Sequence, residues 1–175
     1  TVTIQTPAGT TETLPYDSLV IATGADSFMP PIKGKEKAGI LSLRGIEDGE
    51  KIDAAVKAGA KSAVIMGAGL IGLEVGVALI ERGLSVTIVE MLPQILPQLL
   101  DADMAKGVQE HLEQKGMKIL TSKGVEEFLG EDKVTGIKAG GEVIEADLFI
   151  SAFGVRANTK LAVEAGIPLG ESRAI

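Results

Sequence analysis

Apolar and polar positions change their period several times along the chain, and each change marks an element. Val2–Gln5 and Glu12–Leu14 alternate on either side of Pro7-Ala8-Gly9, the pattern of two half-buried strands joined by a turn. Asp17-Ser18-Leu19-Val20-Ile21 is a short apolar run that stops at Ala22-Thr23-Gly24 and reads as a strand. Gly24–Gly39 contains Pro30-Pro31 and Gly34 and reads as a linker or loop, with a short strand following at Ile40–Leu43. Ile46–Ala58 has apolar or small residues at 46, 52, 55 and 56 with charges between them. It predicts a helix that stops at Gly59.

The next block is more regular. Ser62–Met66 is a continuous apolar strand, as expected of one covered on both faces. A glycine-rich turn leads into a helix reaching about Arg82, where Gly83 suits a left-handed C-terminal cap. Ser85–Glu90 predicts a second strand, and Met91–Leu100, with Pro93 and Pro97, a loop. Asp101 is a candidate N-cap for a helix to Lys115 that carries Met104, Val108 and Leu112 on its buried face and ends at Gly116. Met117–Leu120 is a third strand. The order β-α-β-α-β implies a parallel sheet with right-handed crossovers. Short strands around 124–129, 133–138 and 142–145 read as an antiparallel meander. Asp147–Ser151 is another buried strand and Thr159–Ala165 a short helix. The fold class predicted is α/β: a Rossmann-like domain, with a parallel sheet, helices on both faces and an antiparallel meander.

The chain also matches itself. Asp17–Gly24 and Asp147–Gly154 both read D-x-h-h-x-A-x-G, where h is apolar, and both follow a small meander. The second copy closes a β-α-β-α-β-meander unit, and the first closes a unit whose front is missing. Two related dinucleotide-binding units are expected in the parent protein, with the tail of the first and all of the second in this chain.

Gly67-Ala68-Gly69-Leu70-Ile71-Gly72 is a G-x-G-x-x-G run placed directly after a strand and at the start of a helix. In that context the first glycine permits a tight turn, the second lets the backbone approach a pyrophosphate, and the third lets helix and strand pack closely. The helix N-terminus presents unpaired N–H groups to phosphate oxygens. Glu90 ends the next strand, 18 positions beyond Gly72, near the ~20-residue spacing at which an acid takes ribose hydroxyls. The next basic residue after Glu90 is Lys106, and a carboxylate repels a 2′-phosphate, so NADH is expected over NADPH. Glu74 interrupts an apolar run. Either its head escapes to solvent or it faces a cofactor or a neighbouring domain.

Composition narrows the chemistry. The 175 residues include no cysteine and one histidine, His111, which excludes thiolate and disulfide chemistry and any multi-histidine metal site. His111 sits beside Val108 and Leu112 and reads as a helix-boundary residue. Asp101 and Asp103 read as helix-start charges rather than a metal pair. No residue here is a candidate catalyst and no metal is expected. A net charge of −7 and 3% aromatic residues argue against a nucleic-acid partner. Ala63–Ile80 carries Glu74 as its only charge, but its four glycines suit a buried strand and helix better than a membrane span. No signal segment is evident, the first residue is Thr, and a cytoplasmic setting is expected.

The run Ser62–Glu90, its continuation Met91-Leu-Pro-Gln-Ile-Leu-Pro-Gln-Leu-Leu-Asp-Ala-Asp-Met104, and Asp147–Asn158 together resemble the flavin-dependent pyridine nucleotide–disulfide oxidoreductases. Within that family the chain looks most like the NADH oxidase and coenzyme A disulfide reductase branch. The resemblance implies an FAD domain, an inserted NADH domain, a return to the FAD domain and a dimerisation domain. Residues 1–35 would then be the tail of the FAD domain, 36–158 the NADH domain and 159–175 the return segment. By the same resemblance Gly67, Gly69, Leu70, Ile71 and Gly72 would line the path of the pyrophosphate and nicotinamide. Glu74 would lie near the nicotinamide, Glu90 at the adenosine ribose, Phe153 and Gly154 would be backbone neighbours of the cofactor, and Met91 would be a further NADH-binding residue. Thr23 and Gly24 would meet FAD in the parent. Leu70 stands where some relatives carry a tyrosine lid, and Phe153 is bulkier than the family usually shows. The family's FAD glycine loop, active-site cysteine and later flavin motif are not in this sequence. The resemblance therefore implies an excised central piece of a homodimeric flavoprotein, one that binds NADH but does not turn over alone. Hydride would pass to FAD and then to oxygen or a disulfide. A ferredoxin- or rubredoxin-type reductase, a non-catalytic NADH-sensing module and a methyl-transfer fold are the alternatives.

Overall fold

The computed structural model describes residues 1–175. In chain order the strands and helices are β1 (Val2–Gln5), β2 (Thr11–Leu14), β3 (Ala25–Ser27), β4 (Ile40–Ser42), α1 (Ile46–Lys57), β5 (Ser62–Met66), α2 (Leu70–Glu81) and β6 (Ser85–Val89). They continue as α3 (Ala102–Gln114), β7 (Lys118–Leu120), β8 (Val125–Leu129), β9 (Gly136–Ala139), β10 (Glu142–Glu145), β11 (Leu148–Ser151), β12 (Val155–Ala157) and α4 (Lys160–Glu164). The chain forms two compact units. One comprises Thr1–Ala25 with Ala157–Ile175, the other Asp26–Arg156.

The second unit is built on a five-stranded sheet in the order β4-β11-β5-β6-β7, every pair of it parallel. The strands between the edges are apolar on both sides, so successive residues feed opposite faces. Ala63, Ile65, Val86, Ile88, Leu148 and Ile150 face one core, and Val64, Met66, Val89 and Phe149 face the other.

The α/β class, the parallel sheet and the meander all stand, but the helices lie differently from expectation. Ile52 of α1, Leu73 and Leu79 of α2, and Ala105 and Leu112 of α3 all join the first core, so all three helices pack on one face. The second core is closed by the meander β10-β9-β8, which contributes Phe128, Ile137 and Ala139. The reason is topological. Successive right-handed β-α-β crossovers running in one direction leave their helices on the same side of a sheet, and the exposed face needs another cover.

Three further expectations change. Asp17–Ile21 forms no strand; Val20 is 86% exposed, and no other strand lies beside the run to satisfy its backbone. Gly24–Gly39 is not wholly a loop, because Ala25–Ser27 is a strand paired with β12. On α3 the buried residue of the first turn is Ala105, while Met104 is exposed. Val108 and Leu112 do pack inward as expected. No helix is long and apolar enough to cross a membrane.

The first unit holds the hairpin β1–β2, in register Val2↔Leu14 through Gln5↔Thr11, and the short helix α4. Thr23 and Gly24 belong to it. The Thr23 hydroxyl donates to the Asn158 carbonyl, the Asn158 Nδ2 donates to the Thr23 carbonyl at 3.2 Å, and the Asn158 N–H donates to the Gly24 carbonyl at 2.9 Å.

Candidate functional site

The glycine run forms the turn between β5 and α2, where the end of β5 meets the ends of β6 and β11. Gly67 N–H donates to the Val89 carbonyl at 2.8 Å, and Ala152 N–H to the Met66 carbonyl at 2.8 Å. Three glycines in one turn face three different surroundings. Gly67 has φ +112°, and a Cβ on it would lie 2.3 Å from the Ala152 carbonyl oxygen. A Cβ on Gly72 would lie 2.2 Å from the Gly67 carbonyl oxygen. Both are therefore required by the chain's own backbone. Gly69 has ordinary backbone angles, and a Cβ there meets nothing within 4 Å. Nothing inside the protein explains the glycine at 69. Its missing side chain leaves an open cradle over the helix N-terminus, a place where a second backbone or a phosphate group fits.

The amides that face this cradle precede the helical ladder. The first helical bond is Leu73 N–H to the Gly69 carbonyl at 3.0 Å. The N–H groups ahead of Leu73 thus stand outside the intrahelical pattern, with the positive end of the helix dipole behind them. A pyrophosphate is the chemical group such an array accommodates.

Glu90 follows β6 and is half-buried. Its Oε2 accepts from Ala68 N–H at 2.8 Å and its Oε1 from Leu92 N–H at 2.8 Å. A carboxylate offers about four acceptor positions, so two remain for hydroxyls of a bound molecule. Its acceptor-only character matches ribose and opposes a phosphate monoester. The fold also brings a base closer than sequence spacing implied. Lys123 N–H donates to the Glu90 carbonyl at 2.9 Å. Its ammonium, however, is held by Glu142 at 2.6 Å.

The other predicted positions distribute as follows. Leu70, Ile71 and Met91 are exposed, an apolar set flanking the turn and Glu90. Glu74 lies on the exposed side of α2, so its charge meets water rather than the core. Phe153 packs against the meander-side core, and Gly154 is exposed with φ +94°. His111 is exposed. The sequence reading missed the partners of Ala68, whose amide bonds Glu90 and whose carbonyl accepts from Leu96 N–H at 2.9 Å. The available signal was the apolar pair Ile95-Leu96 inside a proline-flanked loop, since apolar residues in a loop need something to pack on.

Asp147 immediately precedes β11 and accepts from Lys61 N–H at 2.9 Å, from Ser62 N–H at 3.0 Å and from the Ser62 hydroxyl at 2.8 Å. These donors, the Lys61 amide foremost, hold its carboxyl below the ordinary carboxylate value. The first residue of the D-x-h-h-x-A-x-G run is thereby a structural clamp on the start of β5.

A parallel sheet with a glycine turn at the carboxyl ends of its strands defines an α/β chain of the Rossmann type. The family model of the pyridine nucleotide-disulphide oxidoreductases matches residues 1–175, and the chain belongs to that family. It is 46% identical to an NADH oxidase of Methanocaldococcus jannaschii over 157 residues, which are 89% of this chain and 35% of that protein. Among solved structures, an NAD-dependent persulfide reductase from A. fulgidus superposes with a TM-score of 0.92 at 39% identity, over 99% of this chain and 32% of that one. The structure described as reduced Bacillus anthracis CoADR-RHD superposes with a TM-score of 0.88 at 33% identity, over 96% of this chain and 30% of that one. The chain thus spans about a third of the length of these relatives.

Proposed function

We propose that this chain is the nicotinamide-dinucleotide-binding part of a cytoplasmic flavin-dependent oxidoreductase, and that it prefers NADH. The observation that carries the reading is Gly69, whose missing side chain is unexplained by the protein's own packing while Gly67 and Gly72 are both demanded by it. In this reading Gly67–Gly72 receives the pyrophosphate on backbone N–H groups, and the acceptor positions left on Glu90 take the adenosine ribose hydroxyls. Leu70, Ile71 and Met91 give the bound dinucleotide apolar contact, and Glu74, Phe153 and Gly154 border the nicotinamide side. When bound, the nicotinamide supplies a hydride to the flavin of the parent protein, and electrons leave for oxygen or a disulfide. The side chains of this piece bind and orient, and none of them transfers a proton or acts as a nucleophile.

Residues 36–158 then serve as the NADH domain. Residues 1–35, with Thr23 and Gly24 toward FAD, and residues 159–175 belong to a flavin domain completed elsewhere in a homodimeric parent. The isolated chain binds but does not turn over. The preference for NADH follows from the carboxylate of Glu90 and from Glu142, which occupies the Lys123 ammonium.

Titration of the folded chain with NADH, NADPH and S-adenosylmethionine tests the reading. Saturable binding of NADH, weaker binding of NADPH and none of S-adenosylmethionine are expected. A folded chain that takes up no NADH refutes the assignment, and NADPH affinity equal to or above that for NADH refutes the preference.

A further inference from the structure

Ala68 is the only non-glycine residue between the first two glycines of the turn, and it is fully buried. Both of its backbone polar groups are held by the segment that follows β6. Its N–H donates to Glu90 Oε2 at 2.8 Å, and its carbonyl accepts from Leu96 N–H at 2.9 Å. Leu96 reaches that carbonyl from φ +48°, a left-handed conformation that costs a side-chain-bearing residue backbone strain. The strain persists because Ile95 and Leu96 are both buried in the helical-side core. The Leu96 carbonyl in turn accepts from Leu99 N–H at 2.9 Å and Leu100 N–H at 3.1 Å, and Gln94 Nε2 donates to the Leu100 carbonyl at 2.9 Å. The loop from Met91 to Leu100 is therefore a built element rather than a spacer.

We propose that Glu90 and this loop are positioning elements of the phosphate turn, presetting the amides of the glycine run before any ribose hydroxyl reaches the same carboxylate. The inference rests on the dinucleotide reading above and deepens it. Glu90 has two separable tasks. One lone pair on each oxygen accepts from the Ala68 or the Leu92 amide; the second lone pair on each is left for ligand hydroxyls. Loss of the side chain must then weaken phosphate binding even for a ligand that has no ribose hydroxyls to offer.

The test compares wild type with Glu90→Ala in the full chain, using NADH and its analogue lacking both hydroxyls on the adenosine ribose. Amide hydrogen exchange is measured in the unliganded proteins. The expected results are accelerated exchange at Ala68 and Leu96 and an affinity for the dideoxy analogue reduced about ten- to a hundredfold, the scale of one lost charge-assisted hydrogen bond. Glu90→Gln keeps the shape and one acceptor, so it restores part of both effects. It also replaces the alanine variant should that fail to fold. If Glu90 acts only on ribose, the analogue binds wild type and variant equally and exchange at Ala68 does not change; that result overturns the inference. If wild type binds neither dinucleotide, the proposed function fails, and exchange at Ala68 alone decides whether Glu90 positions the turn.

Discussion

At the scale of single residues, the three glycines of the turn differ in what the fold demands of them. Gly67 and Gly72 each sit where a methyl group would press into a backbone oxygen, at 2.3 and 2.2 Å, and backbone cannot give way as a flexible side chain does. Gly67→Ala carries a further cost of about 1–3 kcal/mol for its backbone conformation. Gly67→Ala and Gly72→Ala are therefore expected to lower Tm substantially. Gly69→Ala places its methyl in open space at ordinary backbone angles, so its Tm should match wild type while NADH affinity falls at least tenfold, read by thermal unfolding and titration. Equal loss of Tm at all three positions would show that Gly69 serves packing instead. The motif itself was legible because its spacing lies within one local turn. What it could not reveal is which glycine the protein needs for itself, since for Gly67 that depends on the distant Ala152 carbonyl and for Gly72 on how the turn folds back onto the Gly67 carbonyl. The role of Ala68 was hidden for the same reason: its partners Glu90 and Leu96 belong to the neighbouring strand and loop.

Elements are joined by contacts whose consequences can be read in a titration. Asp147 ties the start of β11 to the start of β5 through three donors, and its carboxyl is held below the ordinary value near 3.8. A depressed folded value means that the unfolded chain takes up the proton first as pH falls. The contribution is complete above the unfolded value and is lost as pH drops through the lower, folded one. Asp147→Asn should accordingly reduce Tm at pH 7, and the gap to wild type should close as unfolding is repeated at pH values below about 3.8. A gap that persists unchanged at low pH would assign the effect to shape rather than charge. The helix α3 makes a second case. Its apolar spacing put Met104 inward, yet the side chain that enters the core one turn from Val108 is Ala105, because a small residue lets the helix lie close to the sheet. Ala105→Leu is expected to destabilise by about 1–3 kcal/mol through overpacking. Met104→Lys should fall within about 0.5 kcal/mol of wild type, and denaturant unfolding distinguishes the two. Periodicity located this helix and its ends but not its rotation by one position, and it overlooked β3 and β12. Those strands are three residues each, and each becomes a strand only by pairing with a partner about 130 positions away.

For the whole molecule, the distribution of the core decides what the chain can do by itself. Every fully buried apolar side chain except Ala162 falls between Asp26 and Arg156. The helical-side core and the meander-side core share one sheet, so each face of that sheet is closed by residues of the same unit. The other unit has a hairpin, a five-residue helix and an apolar run at Leu19-Val20 that is left in water. Folding free energy scales with apolar area removed from solvent, so nearly all of it resides in 26–156. The glycine turn, Glu90 and the Met91–Leu100 loop lie in that same unit. A chain cut to residues 26–156 should therefore unfold in one cooperative transition, with a Tm within about 5 °C of the full chain, a shift of roughly 1 kcal/mol. Its NADH affinity should stay within about threefold. The complementary pieces, 1–25 and 157–175, should show no cooperative transition when mixed. A shortened chain that folds but loses NADH would place part of the binding surface in the terminal segments and move the boundary of the cofactor domain outward. One that does not fold would show that the terminal segments contribute to its stability, despite how little apolar surface they bury.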